Sequence, residues 1–336
     1  MRVARLGESI TPRPANADPD EDLDMPLIPP RQHCTAFLYE SFDDAAEDKN
    51  FLAMGFFIGM PSEKHKGYFY LHLVTNEHVI QGLKTVCARI HICSDPKERA
   101  RGRFSEPDDV GALIIPTASF VTDRKTDLAI AIVTLPDDSL VHHTPIDSLI
   151  TDFRSSRSPD IPFVGVGDEI MMMARIVRRG VHYLKENLQV ARFGNVALVP
   201  KHEEPFFLTE MRSVGGHSGS PVWVYLPGVE SEQGSWRICG TPARVRSFGM
   251  MLLGINLGHL RDFEPIVTIG QNHKEKAHAS WLSQKHEAIS QVVPAWCITD
   301  LLYGNELETR RDRADAKHES GADIVKDSIK PLASRK

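Results

Sequence analysis

Short apolar runs separated by turn residues dominate this chain and constrain its fold more than any other feature. Evenly spread short strands without intervening long helices favour barrels or sandwiches. The 23 glycines and 22 prolines also suit a turn-rich β protein better than a helical bundle. The predicted strands of the first half are Cys34–Tyr39, Met54–Gly59, Tyr68–Thr75, Thr85–Ile92, Ala112–Ile115 and Leu128–Thr134.

A second series of predicted strands follows a polar, proline-containing stretch at Ser148–Pro162, which we interpret as a domain boundary. A helix is predicted over Ala295–Tyr303, after Pro294. The chain therefore divides into a flexible leader (1–32), two β units (33–150 and 151–303) and a polar, partly helical tail (304–336). The strands of the second series are Ile170–Ile176, Val190–Val199, Phe206–Leu208, Val222–Tyr225, Leu252–Leu257 and Val292–Val293.

Composition excludes several classes of protein. The 39 basic and 45 acidic residues give a net charge of −6, which argues against a nucleic-acid binder that works by bulk basicity. A hydrophobic content of 41% is enough for a packed core, and no apolar run reaches the ~18 residues that span a bilayer. The N-terminus has no apolar signal core. We therefore expect a cytoplasmic protein that acts on neither nucleic acid nor membrane.

The cysteines and histidines show no metal-binding pattern. The five cysteines are scattered without a CxxC pair, which predicts mostly buried free thiols and no disulfide framework or zinc knuckle. His273, His278 and His286 cluster in a polar stretch, but their spacing fits no metal-ligand template. We expect no metal. The cysteines are Cys34, Cys87, Cys93, Cys239 and Cys297.

The segment GGHSGSP, residues Gly215–Pro221, is the strongest candidate for chemistry. Three glycines and a proline in seven residues make a tight turn with Ser218 at its centre. Such a turn can expose a nucleophilic hydroxyl while the backbone N–H groups of Gly216 and Ser218 converge on a developing oxyanion. The alternative is an ordinary surface turn. We expect His217 to face solvent and Ser220 to hydrogen-bond locally.

Two further segments supply a base and an acid. His78 lies in TNEHVI, just past a predicted buried strand, where it can act as a general base. Asp127 opens the apolar strand in TDLAIAIV, where its carboxylate can orient an imidazole. Each has a structural alternative, a hydrogen-bonded surface histidine and a turn-capping aspartate, and Asp123 is a second candidate for the acid.

The chain order His78, Asp127, Ser218 matches the chymotrypsin arrangement and differs from the subtilisin and α/β-hydrolase orders. The segments TNEHVI, TDLAIAIV and GGHSGSPV resemble the signature blocks of trypsin-like serine peptidases of the chymotrypsin fold. They look closest to the bacterial high-temperature-requirement type, here without a PDZ domain because the chain after Leu302 is short. The segments MGFFIG, LLGINLGH and VVPAWCITDLL are similar to further blocks of this family, over roughly residues 33–303.

The resemblance implies an all-β fold of two six-stranded antiparallel β-barrels with a C-terminal helix and the active site in the cleft. It implies a serine endopeptidase that needs no cofactor, with a protein or peptide as substrate and room for a regulatory protein partner. The family usually carries Asp or Asn at the position of His217, so a catalytically silent or switchable binding module is the alternative.

The resemblance also implies a substrate site. Arg212 takes the position at the base of the specificity pocket and Asn256 a position on its wall. Leu257, Gly258 and His259 would pair with an extended substrate as an added strand. A buried Arg212 would favour acidic side chains. Alternatively, Arg212 points to solvent or pairs with Glu210.

Overall fold

The structure is a computed structural model. It describes residues 4–5, 34–65, 68–92, 109–135, 144–146, 149, 164–175, 189–200, 206–230, 236–237, 247–259, 262–265, 267–269, 274–276, 282–285, 288–319 and 330–332. Most of the predicted leader and domain boundary, Cys93, Cys239 and the three clustered histidines lie outside the described residues.

The first β unit is one large, mostly antiparallel sheet. Its central strands run in the order β6-β5-β2-β3-β4-β8-β7, while β1 pairs with β4 and β9 pairs in parallel with β3. Two short helices, α1 (Phe42–Glu47) and α2 (Glu77–Ile80), interrupt the strands. The strands are β1 (Ala4–Arg5), β2 (Thr35–Tyr39), β3 (Phe51–Pro61), β4 (Tyr68–Asn76), β5 (Thr85–Ile92), β6 (Asp109–Pro116), β7 (Phe120–Asp123), β8 (Leu128–Val133) and β9 (Thr144–Pro145).

The second β unit contains a closed barrel. Six strands follow one another in the order β10-β11-β12-β20-β15-β13, and β13 pairs back onto β10. Strand β14 pairs antiparallel with the end of β13. Two further two-stranded sheets, β16 with β19 and β17 with β18, are separate from the barrel. The strands are β10 (Glu169–Arg175), β11 (Gln189–Leu198), β12 (Phe207–Glu210), β13 (Pro221–Glu230), β14 (Trp236–Arg237), β15 (Ser247–His259), β16 (Asp262–Pro265), β17 (Val267–Ile269), β18 (Lys274–Lys276), β19 (Leu282–Lys285) and β20 (Ile289–Pro294).

This architecture confirms the predicted fold class, an all-β fold of the chymotrypsin type with a helix after the second barrel. The second barrel is closed, as expected. The first unit differs in detail, because its described strands form a half-barrel with β7 at one end and β6 toward the other. The edge at β6 is covered by a short C-terminal strand, β21 (Lys330–Leu332), rather than by a strand of the same unit.

One hydrophobic core is shared by both units, and it fixes the seam between them. Phe56 and Val74 of the first unit belong to the same buried cluster as Met171, Trp223 and Ile255 of the second. Met171, Met172 and Met173 all lie in the core, as predicted from their strand-like run. Because packed interiors deform little, a shared core holds groups on either side of the seam at fixed positions.

The C-terminal region packs against both units. Helix α3 (Ala295–Leu302) buries Ile298 and Leu302 in the shared core. Helix α4 (Asn305–Glu319) follows, so the polar tail is partly helical, as predicted. Tyr70 of β4 donates a hydrogen bond to the buried Asp315 of α4. In the described parts of the chain, no helix has both the length and the apolar character needed to cross a membrane.

Candidate active site

Asp127 holds the short helix that carries His78. Its carbonyl oxygen accepts from the Glu77 N–H at 2.9 Å, and its Oδ1 accepts from the His78 N–H at 2.8 Å. These N–H groups belong to the first turn of α2, where donors have no partner within the helix. Asp127 has a φ of 55°, in the left-handed region that aspartate tolerates better than most residues. One residue thereby turns its carbonyl and its carboxylate toward the same helix.

The ring of His78 forms a second contact with this carboxylate. Its Nδ1 lies 2.5 Å from Asp127 Oδ2. A carboxylate at this position favours the tautomer with the proton on Nδ1, which leaves Nε2 as the basic nitrogen. The side chain of His78 is 45% exposed and that of Asp127 is 21% exposed. The base is therefore accessible from outside while its carboxylate partner is largely shielded.

The other candidate acid serves a different purpose. Asp123 accepts from the Lys125 N–H at 3.1 Å and from the Thr126 hydroxyl at 2.5 Å, and thus caps the turn before β8. Of the two carboxylates, Asp127 is the one that contacts His78.

The segment around the candidate nucleophile forms two successive tight turns. In the first, the His217 N–H donates to the Val214 carbonyl at 3.1 Å, and in the second the Ser220 N–H donates to the His217 carbonyl at 3.1 Å. The third residues of these turns are Gly216 and Gly219, with φ values of 91° and 81°. A type II turn needs a positive φ at this position, and glycine adopts it without steric cost. The glycines of the motif therefore set the shape of the loop.

Ser218 and its neighbour are held against the first unit. The Met54 N–H of β3 donates to the Ser218 carbonyl at 2.8 Å. A Cβ on Gly219 would lie 1.9 Å from the Met54 carbonyl oxygen and 2.8 Å from Thr75 Oγ1, so only glycine fits. Thr75 lies near the end of β4, three residues before His78. The structure therefore brings Ser218 and His78 to the same seam between the two units.

The Ser218 hydroxyl donates to the Leu257 carbonyl at 3.0 Å. Within the described ranges, no hydrogen bond joins it to His78. The contact between base and acid is thus formed in this structure, whereas the contact between nucleophile and base is not.

Among the described residues, the two predicted oxyanion donors, the N–H groups of Gly216 and Ser218, have no hydrogen-bond acceptor. Their role as an oxyanion hole stays a prediction.

The expectation that His217 faces solvent is wrong, because this side chain is fully buried. Its Nδ1 accepts from the Val214 N–H at 3.3 Å, and its Nε2 donates to the Arg175 carbonyl at 2.9 Å. Burial, together with the positive charge of Arg192, lowers the pKa of His217 to about 4. The residue is a neutral structural bridge within the loop, which its polar sequence neighbours did not reveal.

The prediction that Asn256 lies on a pocket wall is also wrong, because it has no accessible surface. Its side-chain amide donates to Ser213 Oγ at 3.1 Å and to the His217 carbonyl at 2.9 Å. Its backbone accepts from the Gly219 N–H at 2.9 Å and donates to the Ser220 carbonyl at 2.8 Å. Asn256 therefore braces the nucleophile loop from β15.

Arg212 does not form a buried base of a specificity pocket. Its side chain is exposed, as is that of Glu210. No ion pair between the two occurs among the described residues. The structural premise for an acidic specificity, a desolvated guanidinium, is therefore missing, and the solvent-facing alternative applies.

Leu257, Gly258 and His259 form the end of β15, next to the nucleophile loop. On one side Gly258 pairs with Gln291 and His259 with Ser290 of β20, and Leu257 lies at a shift in the register of this pairing. On the other side the pairing of β15 with β13 starts at Pro221, opposite Ile255. This edge continues directly from the nucleophile loop, since Leu257 accepts from Ser218.

The described part of the chain has no group of three or more His, Cys, Asp or Glu side chains that can hold a metal ion. Cys34, Cys87 and Cys297 are free thiols, and the first two are buried, as predicted.

Comparisons with known proteins give no family assignment. No family model matches the chain, and no curated protein matches its sequence. Among solved structures, the MamO protease domain from Magnetospirillum magneticum in its apo form has a TM-score of 0.41 at 13% identity, covering 82% of this chain and 98% of that one. An inactive Ser-to-Ala mutant form of Rv3671c from M. tuberculosis has a TM-score of 0.37 at 14% identity, covering 85% and 92%. Likenesses at this level carry no information about chemistry.

Proposed function

We propose that this protein is a serine endopeptidase in which His78, Asp127 and Ser218 form the catalytic triad. One observation carries the proposal: a His–Asp pair with 2.5 Å between Nδ1 and Oδ2 and a glycine-framed serine loop meet at the seam of two β units. The three residues come from segments far apart in the chain. The sequence resemblance to the high-temperature-requirement type supports the same activity, and the assignment to that branch is part of this proposal.

The proposed mechanism follows from the positions of these groups. His78 Nε2 removes the proton from Ser218 Oγ as the oxygen attacks a peptide carbonyl carbon. Asp127 keeps the ring oriented and stabilises the imidazolium. The N–H groups of Gly216 and Ser218 donate to the oxyanion. His78 then protonates the leaving amine, and the acyl-enzyme is hydrolysed by water that His78 deprotonates, which regenerates the free hydroxyl.

The Ser218 hydroxyl must leave the Leu257 carbonyl before it can reach His78. A rotation about the Cα–Cβ bond of Ser218 would turn the oxygen away from Leu257, and catalytic hydrogen bonds are often long or poorly aligned before substrate binds. A substrate strand along Leu257–His259 would compete for the same carbonyl. Substrate binding would then release the nucleophile.

A second candidate function is a silent or switchable protein-binding module. The observation that favours it is the hydrogen bond from Ser218 to Leu257, which withdraws the hydroxyl from the base. In this alternative the edge at Leu257–His259 still binds an extended peptide, but no bond is cleaved.

Labelling with a fluorophosphonate probe separates the two functions. We expect the wild-type protein to be labelled and Ser218→Ala and His78→Ala to be unlabelled. Ser220→Ala is the matched control, because Ser220 is a buried hydroxyl two residues away whose Oγ has no partner within the described part of the chain. A folded wild-type protein that binds an extended peptide and is not labelled would favour the binding module.

A further inference from the structure

A buried guanidinium joins the two β units beside the nucleophile loop. Arg175, at the end of β10, donates through Nη2 to both carboxylate oxygens of Asp48, at 2.6 and 2.5 Å, and through Nη1 to the Tyr39 hydroxyl at 2.7 Å. The rings of Phe37 and Phe51 lie 4.9 and 4.6 Å from its Cζ. Charge-assisted hydrogen bonds of this kind are shorter and stronger than those between neutral groups. The first unit therefore holds Arg175 from several directions.

Asp48 is itself constrained. It ends α1 in the left-handed conformation, with a φ of 56°, and accepts a further hydrogen bond from Tyr39. The guanidinium of Arg89 lies 3.4 Å from its Oδ1. One carboxylate thus faces two buried guanidinium groups, so its removal leaves uncompensated charge in the interior.

The backbone of Arg175 connects this ion pair to the nucleophile loop. Its carbonyl accepts from His217 Nε2 at 2.9 Å, and on the other edge of the ring Nδ1 accepts from the Val214 N–H at 3.3 Å. The carbonyl of His217 also accepts from the Asn256 amide at 2.9 Å. His217 therefore spans the loop, from Val214 at its start to an anchor on β10.

The chemistry of these two contacts accounts for a histidine here. Arg175 offers an acceptor and Val214 a donor, so the side chain between them must donate at one end and accept at the other. A neutral imidazole with its proton on Nε2 does both. A carboxylate at position 217 would place an acceptor against the carbonyl of Arg175.

We propose that His217 is the positioning residue of the nucleophile loop and takes its anchor from Arg175, so that the ion pair between the two units sets the placement of the Gly216 and Ser218 N–H groups. The catalytic consequence rests on the proposed peptidase function. The expected effect on how well the loop is ordered does not depend on that function.

Three substitutions dissect the role of His217. His217→Gln keeps an amide donor that can reach Arg175, His217→Asn keeps an acceptor for the Val214 N–H, and His217→Phe keeps neither. We expect His217→Phe to lower kcat and the fluorophosphonate labelling rate by ~10²–10³-fold, as for the loss of an oxyanion donor, with KM unchanged. His217→Gln should restore more activity than His217→Asn, because it retains the anchor. Equal rescue by both, or wild-type labelling of His217→Phe, overturns the proposal.

Amide hydrogen exchange over residues 212–220 tests the connection to the ion pair independently of catalysis. We expect Asp48→Asn and the milder Tyr39→Phe to accelerate exchange in this segment, although both residues belong to the other unit. Asp315→Asn is the matched control, because it disrupts a buried carboxylate in α4 and should leave exchange in this segment and kcat unchanged.

Tyr39→Phe carries this test where Asp48→Asn does not fold, because it removes the two hydrogen bonds of one hydroxyl, to Arg175 and to Asp48, and leaves the ion pair itself in place. Wild-type exchange over residues 212–220 in both Asp48→Asn and Tyr39→Phe would refute the connection. A wild-type protein that is never labelled, but whose loop loosens in these variants, refutes the peptidase function and supports the positioning role.

Discussion

Asp127 contacts His78 twice, once with each carboxylate oxygen, and the two contacts reach the backbone and the ring of the same residue. The backbone contact fixes where α2 begins, and the ring contact fixes the orientation of the imidazole. Here one side chain determines both the place of the base and its tautomer, so the site is sensitive to the chemistry of position 127.

Asp127→Asn is expected to lower kcat by ~10⁴-fold, because an amide does not hold the imidazole in the required tautomer. The Asn Oδ1 can still accept from the His78 N–H, so the fold should persist. The measurement is kcat for a peptide substrate together with the melting temperature. Asp123→Asn, which affects only the capped turn, should keep most of the activity. An equal loss of kcat in both variants would contradict the assignment of Asp127 to the triad.

Gly219→Ala is expected to unfold the nucleophile loop, whereas Gly215→Ala is expected to be tolerated. The Cβ at position 219 would meet a backbone oxygen at 1.9 Å with φ at 81°, while a Cβ at position 215 has nothing within 4 Å. Residues forced into such backbone conformations cost ~1–3 kcal/mol each before the clash is counted. Urea unfolding and fluorophosphonate labelling of the two variants provide the measurement. Similar stability of both would contradict the loop geometry.

Stability should decrease as the pH falls from about 6.5 toward 3, and His72 is one cause. Burial lowers the pKa of His72 to about 3, and the Arg311 guanidinium adds to this effect. The native ring stays neutral while the unfolded chain takes up a proton below its ordinary pKa of 6.5. The contribution of the neutral His72 to the free energy of unfolding is therefore present in full above pH 6.5. It is lost progressively below that pH, by about 2–3 kcal/mol at pH 4.5.

His72→Leu isolates this contribution. The ring is fully buried in β4, and leucine in its place has no group that takes up a proton. The difference in unfolding free energy between pH 7 and pH 4.5, from urea titrations, should be smaller in His72→Leu than in the wild type. The same pH dependence in both proteins would show that His72 is not responsible.

Arg212→Gln should change substrate preference little. An exposed guanidinium contributes at most ~1 kcal/mol to an ion pair, which corresponds to about a fivefold change in kcat/KM. The measurement compares peptides that differ only by Glu or Gln at the residue preceding the cleaved bond. A loss of more than a hundredfold for the Glu peptide alone would show that substrate binding buries Arg212.

The strands were accessible to sequence reasoning because their signals are local. The run Thr85–Ile92 was predicted with the bounds that the structure has, and Leu128–Val133 differs by one residue. Alternating or continuous apolar residues between turn formers are sufficient for such assignments. The helix α1 was missed, because six residues with two acidic positions in the first turn carry no clear periodicity.

The environments of single side chains were the least predictable. His217 stands among glycine and serine residues, which suggested exposure, yet it is fully buried. Asn256, which the family resemblance placed on a pocket wall, is fully buried as well. Their partners, Arg175 and Ser213, lie about 40 residues away in the chain. Local composition contains no information about such partners.

Local patterns in the chain were thus enough to identify the β class, the turn of glycines around Ser218 and the segments that carry His78 and Asp127, since each depends on neighbouring residues. The tertiary structure was needed for the rest: the double contact of Asp127 with His78, the hydrogen bond from Ser218 to Leu257 and the burial of His217. Within each unit, folding brings together segments that are far apart in the chain, so the geometry of these contacts follows from long-range packing and not from the order of residues.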